Sequence, residues 1–391
     1  MQDRPQTPAQ SDIAAVMEGL RSRAASAGVS EKTFQAANRD LEPDREVVAR
    51  YTQQPEFEKT PGQYIAQLAS NARAAEGRRK LADAVELFDA IEADYGVPRV
   101  VLAAIWGIES NFGAQMGESR VIRSLATLAA IKDRRAEFWT DQLLAALDIA
   151  EQERFAPNDL TGSWAGAMGH TQFMPRTYLA HAVDFDRDGQ RDIWTSIADA
   201  LASAAALLAH SGWIADVDWG VEAHLLASFD LTRTDPWRAA PLSEWRVRGI
   251  EPVGSDRRIA DDLKLRLILP EGVSAPAFLV SSNFDMILTY NRAQSYALAV
   301  GHLSDRISGR PPLSRAWRPP EDALDRAGRV ALQEYLSALG WDTGGVDGII
   351  GPKTRSAIRA FQLRERIVGD GYATTDVLNR ARQAASNLKS D

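Results

Sequence analysis

Cysteine is absent from the 391 residues of the chain. This absence excludes disulfide bridges, zinc sites built on thiolates, and cysteine nucleophiles. An excess of basic residues is also missing, because 45 Lys and Arg stand against 53 Asp and Glu, a formal charge of -8. Neutralisation of phosphates by basic side chains is the main source of affinity for nucleic acids. We therefore predict that neither DNA nor RNA is a partner.

Long apolar segments are missing as well. The apolar stretch at residues 100–108 covers nine residues, whereas a helix that crosses a bilayer needs about 20. The first ten residues, MQDRPQTPAQ, have no apolar core of the kind that a signal peptide requires. The sequence predicts no membrane span, and any export signal would be absent from this chain.

The residues that are present predict a folded protein of two or three domains, with 45% hydrophobic and 25% charged residues. Apolar residues recur at helical spacing over residues 11–150, while LKLRLIL at 263–269 alternates as a strand does. The segment GRPPLSRAWRPP at 309–320 contains four prolines and predicts an extended linker. The predicted fold class is α+β, mainly α, with a small antiparallel sheet inserted at about 245–282.

Glu109 lies in VVLAAIWGIESNFGA, a predicted helix whose other residues are mostly apolar or small. Its neighbours at helical spacing are Ile105, Trp106 and Phe112, so the carboxyl is expected to face apolar and aromatic groups. Such desolvation raises the pKa of a carboxyl, which suits a catalytic acid. The alternative is a Glu at the rim of the helix that pairs with a basic residue.

The segment GSWAGAMGHTQFMP at 162–175 is rich in glycine and small residues, which let a backbone approach a ligand closely. Ser163 and Gln172 offer hydrogen bonds that suit hydroxyl and acetamido groups. No Gly-Lys-Ser/Thr follows, so the segment does not match a phosphate-binding loop. The alternative is a loop that only turns a corner.

The segment DFDRDGQRD at 184–192 matches the beginning of a calcium loop. Asp184, Asp186 and Asp188 occupy the first three acidic positions, Gln190 supplies a carbonyl, and Asp192 the next carboxylate. The last position, normally a Glu, is Thr195. The alternative is an Asp-rich turn that caps the following helix, and no cofactor is expected to be required for the chemistry.

Four segments together resemble the membrane-bound lytic transglycosylase B family, which cleaves peptidoglycan glycan strands. They are AAIWGIESNFG, LATLAAIKDRRAEFW, GSWAGAMGHTQFMPRTYLAHAVDFDRDG and ILTYNRAQSYALAVGHLSD, and the similarity covers about residues 11–306. The tail, with LQEYLSALGW and GGVDGIIGPKTRSAIRAFQ, resembles a peptidoglycan-binding module of three helices. One module resembles enzymes that cleave peptidoglycan and the other resembles domains that bind it. The two resemblances together imply that peptidoglycan is the substrate.

The resemblance implies a lysozyme-like catalytic region at 11–308, the linker at 309–320 and a peptidoglycan-binding domain at 321–385. It implies that Glu109 is the catalytic acid and base. Some members of the family bind calcium in a longer loop closed by a later acidic residue, for which Asp199 is the nearest candidate. The residues that it places around the substrate are Ser163, Gln172, Tyr290, Asn291, Arg134 and Arg135.

Some of these roles have structural alternatives. Arg134 and Arg135 are equally consistent with a solvated helix face, and Tyr290 with a core tyrosine beside Leu288.

The function implied is a lytic transglycosylase, a lyase that cleaves the β-1,4 bond between N-acetylmuramic acid and N-acetylglucosamine and leaves 1,6-anhydro ends. Hydrolysing glycosidases generally need two carboxylates, and no obvious second one accompanies Glu109 and the glycine-rich loop. The alternatives are a hydrolytic muramidase and a non-catalytic peptidoglycan-binding scaffold. The expected setting is periplasmic, as an exported soluble enzyme, with peptidoglycan strands as the partner and wall-remodelling proteins as further candidates.

Overall fold

A computed structural model describes residues 7–52, 59–231, 238–254, 259–318 and 323–387. The chain forms two compact units, one from residues 1–54 and 72–211 and the other from 55–71 and 212–391. Several predicted segments lie partly outside the described residues: the N-terminal peptide at 1–6, the catalytic region at 53–58 and 232–237, the predicted sheet at 255–258, the end of the linker at 319–320, and the beginning of the module at 321–322.

The first unit is a bundle of helices, as the helical spacing predicts. Its core is formed by fully buried aliphatic side chains such as Leu102, Leu125 and Leu143. No helix in the described ranges is long and apolar enough to cross a membrane. The helices are α1 (Gln10–Ser26), α2 (Glu31–Asn38), α3 (Arg45–Thr52), α5 (Asn71–Asp83), α6 (Val85–Tyr95), α7 (Arg99–Ser110), α8 (Val121–Ala130), α9 (Ala136–Gln152), α10 (Pro175–His181) and α11 (Ile197–His210).

A two-stranded sheet joins the segment after α7 to the segment before the glycine-rich loop. Strand β1 (Ser119–Arg120) pairs antiparallel with β2 (Thr161–Gly162). A side chain at Gly117 would place its Cβ 2.3 Å from the carbonyl oxygen of Gly162, so the close approach of the two segments requires glycine at this position. The pairing brings the end of α7 and the glycine-rich loop into the same region of the first unit.

The second unit contains α4 (Pro61–Leu68) and a five-stranded sheet of order β4-β6-β7-β3-β5. The strands are β3 (Gly220–Leu225), β4 (Ala240–Pro241), β5 (Ile250–Pro252), β6 (Lys264–Ile268) and β7 (Ala277–Val280). All of the pairings are antiparallel. The alternation predicted for LKLRLIL is present, since Leu265 and Leu267 are buried while Lys264 is exposed.

The predicted limits of the sheet, about 245–282, are wrong at the N-terminal side. The sheet begins at Gly220, and Trp245 lies in a short helix, α12 (Leu242–Val247), where its indole nitrogen donates to the Leu265 carbonyl at 2.9 Å. The sequence of β3, GVEAHL, shows only a short alternation. β3 pairs with β5 on one side and with β7 on the other. Both partners lie further along the chain, so the local sequence of β3 does not predict this strand.

Beyond the sheet, the second unit continues through α13 (Ser282–Tyr290) and α14 (Gln294–Ile307) to three helices, α15 (Arg326–Ala338), α16 (Pro352–Arg364) and α17 (Thr375–Asn387). Leu332, Leu336, Ile358 and Phe361 form part of a hydrophobic core of their own for these three helices. The C-terminal residues therefore form the three-helix arrangement that the sequence predicts.

The Pro-rich segment does not run free of the sheet. The Arg318 main-chain nitrogen donates to the carboxylate of Glu271 at 3.0 Å, and its guanidinium Nε donates to the Glu271 carbonyl at 2.7 Å. Glu271 is fully buried and also accepts from the Gly62 nitrogen at 2.8 Å. The described part of the linker is therefore held against the sheet and α4 by hydrogen bonds to Glu222 and Glu271.

Candidate active site

Glu109 is the penultimate residue of α7 and is half-buried. Trp106, one turn earlier, and Phe112, just beyond the helix, are both buried. Their rings pack edge to face with centroids 5.5 Å apart. The carboxyl-bearing turn is thus flanked by an aromatic pair, as the spacing predicts.

The chain reverses immediately after Glu109 through three residues in left-handed conformations. Asn111, Phe112 and Gly113 have φ values of 50°, 58° and 87°. A left-handed conformation is costly for a bulky residue such as Phe112, and residues of this kind cluster at functional sites. The Phe112 nitrogen donates to the Trp106 carbonyl at 3.2 Å, which closes the helix end.

Gln172 ties the glycine-rich loop to the chain beyond Glu109. Its amide nitrogen donates to the Met116 carbonyl at 2.9 Å and to the Gly169 carbonyl at 2.8 Å. These two bonds use both amide hydrogens and leave the amide oxygen able to accept from another group. The structure therefore places Gln172 beside the stretch of chain that joins α7 to β1.

Ser163 begins the same loop. Its hydroxyl oxygen accepts from the Ala167 nitrogen at 3.0 Å, and its own main-chain nitrogen donates to the Ala167 carbonyl at 2.7 Å. Because the hydroxyl oxygen acts as an acceptor here, its hydrogen remains available as a donor. A hydroxyl held in this way suits the carbonyl oxygen of an acetamido group.

His170 is a further residue of this loop, which the sequence alone does not single out. It is 9% exposed, and its Nδ1 accepts from the Trp106 indole nitrogen at 3.1 Å. Its carbonyl accepts from the Ser110 hydroxyl at 2.6 Å. Burial lowers the pKa of His170, with Lys80 acting in the same direction and Asp192 against it. The sequence feature that could have identified it is a histidine in a loop whose other residues are uncharged and mostly small.

The acidic loop brings three predicted ligands together. One carboxylate oxygen from each of Asp184, Asp186 and Asp188 lies within 4.8 Å of the others. Asp184 also accepts from the Gly189 nitrogen at 2.9 Å, which bends the loop around its own side chains. The donor set, all carboxylate oxygen, is one that suits calcium. The residues present fit such an ion.

Asp192 and Asp199 stabilise this loop without joining the cluster. Asp192 accepts from the main chain of Trp194 at 2.8 Å and from the Thr195 hydroxyl. Asp199 is fully buried and accepts from the Phe185 nitrogen at 2.7 Å and the Asp192 nitrogen at 2.9 Å. Desolvation raises the pKa of Asp199, opposed by these hydrogen bonds. Both carboxylate oxygens of Asp199 hold the loop backbone, which differs from the closing ligand that the resemblance implies.

Arg134 and Arg135 are exposed at the beginning of α9. The Arg135 guanidinium lies 4.3 Å from the ring centroid of Trp139 and 5.2 Å from that of Phe138. Stacking of this kind holds an arginine extended while its donors stay accessible.

Tyr290 and Asn291 belong to the second unit, at the turn between α13 and α14. Tyr290 is half-buried, and the Asn291 side chain accepts from the Ala293 nitrogen at 2.9 Å. The two residues are adjacent to each other, and Asn291 helps to begin the next helix.

Comparison with known proteins agrees with this geometry. A family model described as the transglycosylase SLT domain matches residues 12–305. The chain belongs to this lytic transglycosylase family. A peptidoglycan binding domain model matches residues 325–380, which contain α15 and α16 and the beginning of α17.

Individual relatives support the same assignment. Membrane-bound lytic murein transglycosylase B of Escherichia coli is 32% identical over 215 residues, which are 55% of this chain and 58% of that protein. The match therefore spans less than two thirds of that relative's length. SltB3 from Pseudomonas aeruginosa, solved with NAG-anhNAM-pentapeptide, is 43% identical with a TM-score of 0.88, covering 95% of this chain and 99% of that chain.

A more distant structure shares the fold. Slt35 of Escherichia coli, solved in complex with calcium, is 24% identical with a TM-score of 0.65, covering 79% of this chain and 97% of that chain. Together these matches confirm the predicted family, the mainly helical fold class and the predicted enzyme class.

Proposed function

We propose that this lytic transglycosylase cleaves the β-1,4 bond between N-acetylmuramic acid and N-acetylglucosamine and leaves a 1,6-anhydro end. The observation that carries the proposal is the position of Glu109 in the last turn of α7, which hydrogen bonds join to the anchored glycine-rich loop. A relative that is 43% identical was solved with a ligand containing an anhydro sugar, which supports this class of product.

Glu109 serves in turn as acid and as base. Its carboxyl first protonates the glycosidic oxygen as the bond from that oxygen to C1 of the muramyl residue breaks. The resulting carboxylate then accepts the proton of the C6 hydroxyl as that oxygen bonds to C1. The carboxyl regains its proton, so one group completes both steps.

Ser163 and Gln172 hold the sugar during these steps. The free hydrogen of the Ser163 hydroxyl donates to the N-acetyl oxygen, and the Gln172 amide oxygen accepts from a sugar hydroxyl. The bonds that both side chains already make to the backbone keep them in place, which lowers the cost of ordering them on binding.

A hydrolytic muramidase would need a second carboxylate. The stretch that joins α7 to β1 contains one other acidic residue, Glu118, whose side chain is exposed. An exposed carboxyl is not desolvated in the way that the apolar setting expected for Glu109 would desolvate it. We assign it no role in the reaction.

Mass spectrometry of the products released from purified sacculi tests the proposal. Anhydro ends are expected from the wild-type enzyme. Reducing ends would show hydrolysis and contradict the internal attack by the C6 hydroxyl. Absence of both products, with binding retained, would favour the non-catalytic scaffold.

The Asp184, Asp186 and Asp188 cluster is proposed to hold a calcium ion, with the Gln190 carbonyl completing the set. The ion would supply structural stability to the loop and no step of the reaction. Asp192 is proposed to support the loop from beside the ion, because its oxygens accept from Trp194 and Thr195.

The remaining roles are proposed on the resemblance. Arg134 and Arg135 would lie near the peptide or the glycan of the substrate, and Tyr290 and Asn291 would lie around the sugar that undergoes cleavage. The three C-terminal helices would bind the same polymer. A periplasmic location and protein partners in wall remodelling follow from the same substrate.

A further inference from the structure

We infer that His170 is a positioning residue that fixes the turn carrying Glu109 through a hydrogen bond to Trp106. The inference rests on the proposed function, because it concerns the geometry of the proposed catalytic acid. Residues 106 and 170 are 64 positions apart, so the bond joins α7 to the glycine-rich loop across the fold.

His170 contacts α7 on both sides of Glu109. Its Nδ1 accepts from Trp106, three residues before Glu109, and its carbonyl accepts from Ser110, the residue directly after. Residues three apart on a helix share a face. The turn that contains the carboxyl is therefore held at its beginning by the side chain of His170 and at its end by the main chain of His170.

The surroundings of the imidazole leave it little freedom. A Cβ atom at Gly113 would lie 2.3 Å from Cε1 and 2.5 Å from Nδ1 of His170. The same glycine donates its main-chain hydrogen to the Ser110 hydroxyl at 2.9 Å. Gly113 thus makes room for the ring and completes a chain of hydrogen bonds from residue 113 through Ser110 to His170.

Only a neutral imidazole with its hydrogen on Nε2 accepts at Nδ1. Burial favours the neutral form, because a charged ring would lose its solvation. The Lys80 ammonium lies 5.3 Å from the centroid of the Trp106 ring, so a second positive charge on His170 would be placed beside the same indole. These surroundings favour the neutral ring, and the Trp106 donor selects the tautomer in which Nδ1 accepts.

Two substitutions separate the hydrogen bond from the volume of the ring. His170→Phe keeps a ring but removes the acceptor. His170→Asn loses the ring but places its amide oxygen where Nδ1 stands. A small misplacement of a catalytic group costs up to about 10²-fold in rate. We expect kcat on soluble muropeptide chains to fall about 10- to 100-fold in His170→Phe with KM within about twofold, and His170→Asn to recover most of that loss.

A spectroscopic measurement in the full chain confirms that the bond itself has changed. With 15N-labelled tryptophan, the indole resonance that is missing in Trp106→Phe identifies residue 106. This resonance should move in His170→Phe and stay near its wild-type position in His170→Asn. In addition, His170→Phe should cost little more activity when Trp106→Phe is already present, because the bond is then already lost.

An unchanged kcat in a folded His170→Phe enzyme would overturn the inference, as would equal losses in the Phe and Asn variants. A change confined to KM would also overturn it, because that result indicates substrate binding. Failure of the proposed function looks different: Glu109→Gln would then retain full activity whatever the His170 variants do.

Discussion

At the scale of single residues, the exchange of Glu109 for Gln removes one transferable proton and leaves the shape of the side chain unchanged. General acid-base catalysis is typically worth about 10²- to 10⁴-fold, so we expect Glu109→Gln to lose nearly all glycan cleavage while it still binds sacculi. The rate of release of soluble muropeptides measures this loss. Glu118→Gln is the matched control, because Glu118 is exposed in the chain that follows α7. Glu109→Gln activity within about tenfold of wild type would contradict the assignment.

Gly113 provides a second test at this scale. Its φ of +87° is unfavourable for any other residue, and a side chain there would meet the His170 ring. Gly113→Ala is expected to reduce the free energy of unfolding by more than about 1 kcal/mol in denaturant titrations. Gly28→Ala is the control, because Gly28 has a similar φ of +92° and a Cβ added there would have no atom within 4 Å. If the two variants lose the same free energy of unfolding, the contact with the His170 ring adds nothing to the cost of a side chain at residue 113.

At the scale of elements, the acidic loop is held by interactions that do not require an ion. Glu153, the residue after α9, accepts from the Arg191 side chain at 2.6 Å, and Asp199 accepts from three main-chain nitrogens of the loop. The loop should therefore keep its backbone path when calcium is removed. Calcium would add stability only through its preference for the folded state.

This reasoning predicts a reversible calcium effect on melting. Chelator should lower the Tm and millimolar calcium should restore it, since a ligand at 100 times its Kd stabilises the fold by about 2.7 kcal/mol. Asp188→Asn keeps the side chain's shape but removes one charge, so its Tm should respond less to calcium. Asp159→Asn, an exposed residue outside the loop, should respond as the wild type does. If calcium changes the Tm of neither the wild type nor the variants, the segment is only an Asp-rich turn.

At the scale of the whole molecule, the C-terminal helices are in contact with the sheet region of the second unit. The Arg359 guanidinium donates to the Leu231 carbonyl at 2.8 Å, and the Val273 nitrogen donates to Asp370 at 3.3 Å. The Pro-rich linker predicts a separable wall anchor, and the alternative is a domain packed against the catalytic groove that completes or blocks it. The structure shows contact with the sheet region, so removal of the helices also removes hydrogen bonds from it.

The position of a truncation should therefore matter. A chain that ends at Arg310 loses Trp317 and Arg318 and leaves the buried carboxylate of Glu271 with fewer donors, whereas a chain that ends after Arg318 keeps them. An unsatisfied buried group costs about 1–3 kcal/mol, and more when it is charged. The shorter chain should melt at a lower temperature, and both chains should be retained less on insoluble sacculi. Equal melting temperatures would show that residues 311–318 do not stabilise the fold.

Both truncated chains also test whether the C-terminal helices take part in the chemistry. If these helices only add affinity for the polymer, the chain that ends after Arg318 should cleave short soluble muropeptide chains at close to the full-length rate. Tethering raises the effective concentration of a second site without any new chemistry. A large change of rate on the short chains would place the helices in the active site.

The sequence by itself determined the family, the helical class, the C-terminal helices and the candidate acid. These features depend on patterns among residues that are close in sequence. They are the apolar spacing along a helix, the alternation in LKLRLIL, and continuous motifs such as GIESNFG. The loop residues Ser163 and Gln172 were identifiable for the same reason, because they lie in one continuous motif.

Only the tertiary structure decided the extent of the sheet, the attachment of the linker and the partner of His170. Each depends on a contact between distant positions: Gly62 and Glu271 are 209 residues apart, and Trp106 and His170 are 64 apart. A buried polar group must find a partner, but the sequence does not state which one. That choice is made when the folded chain brings donors and acceptors together and excludes water from them.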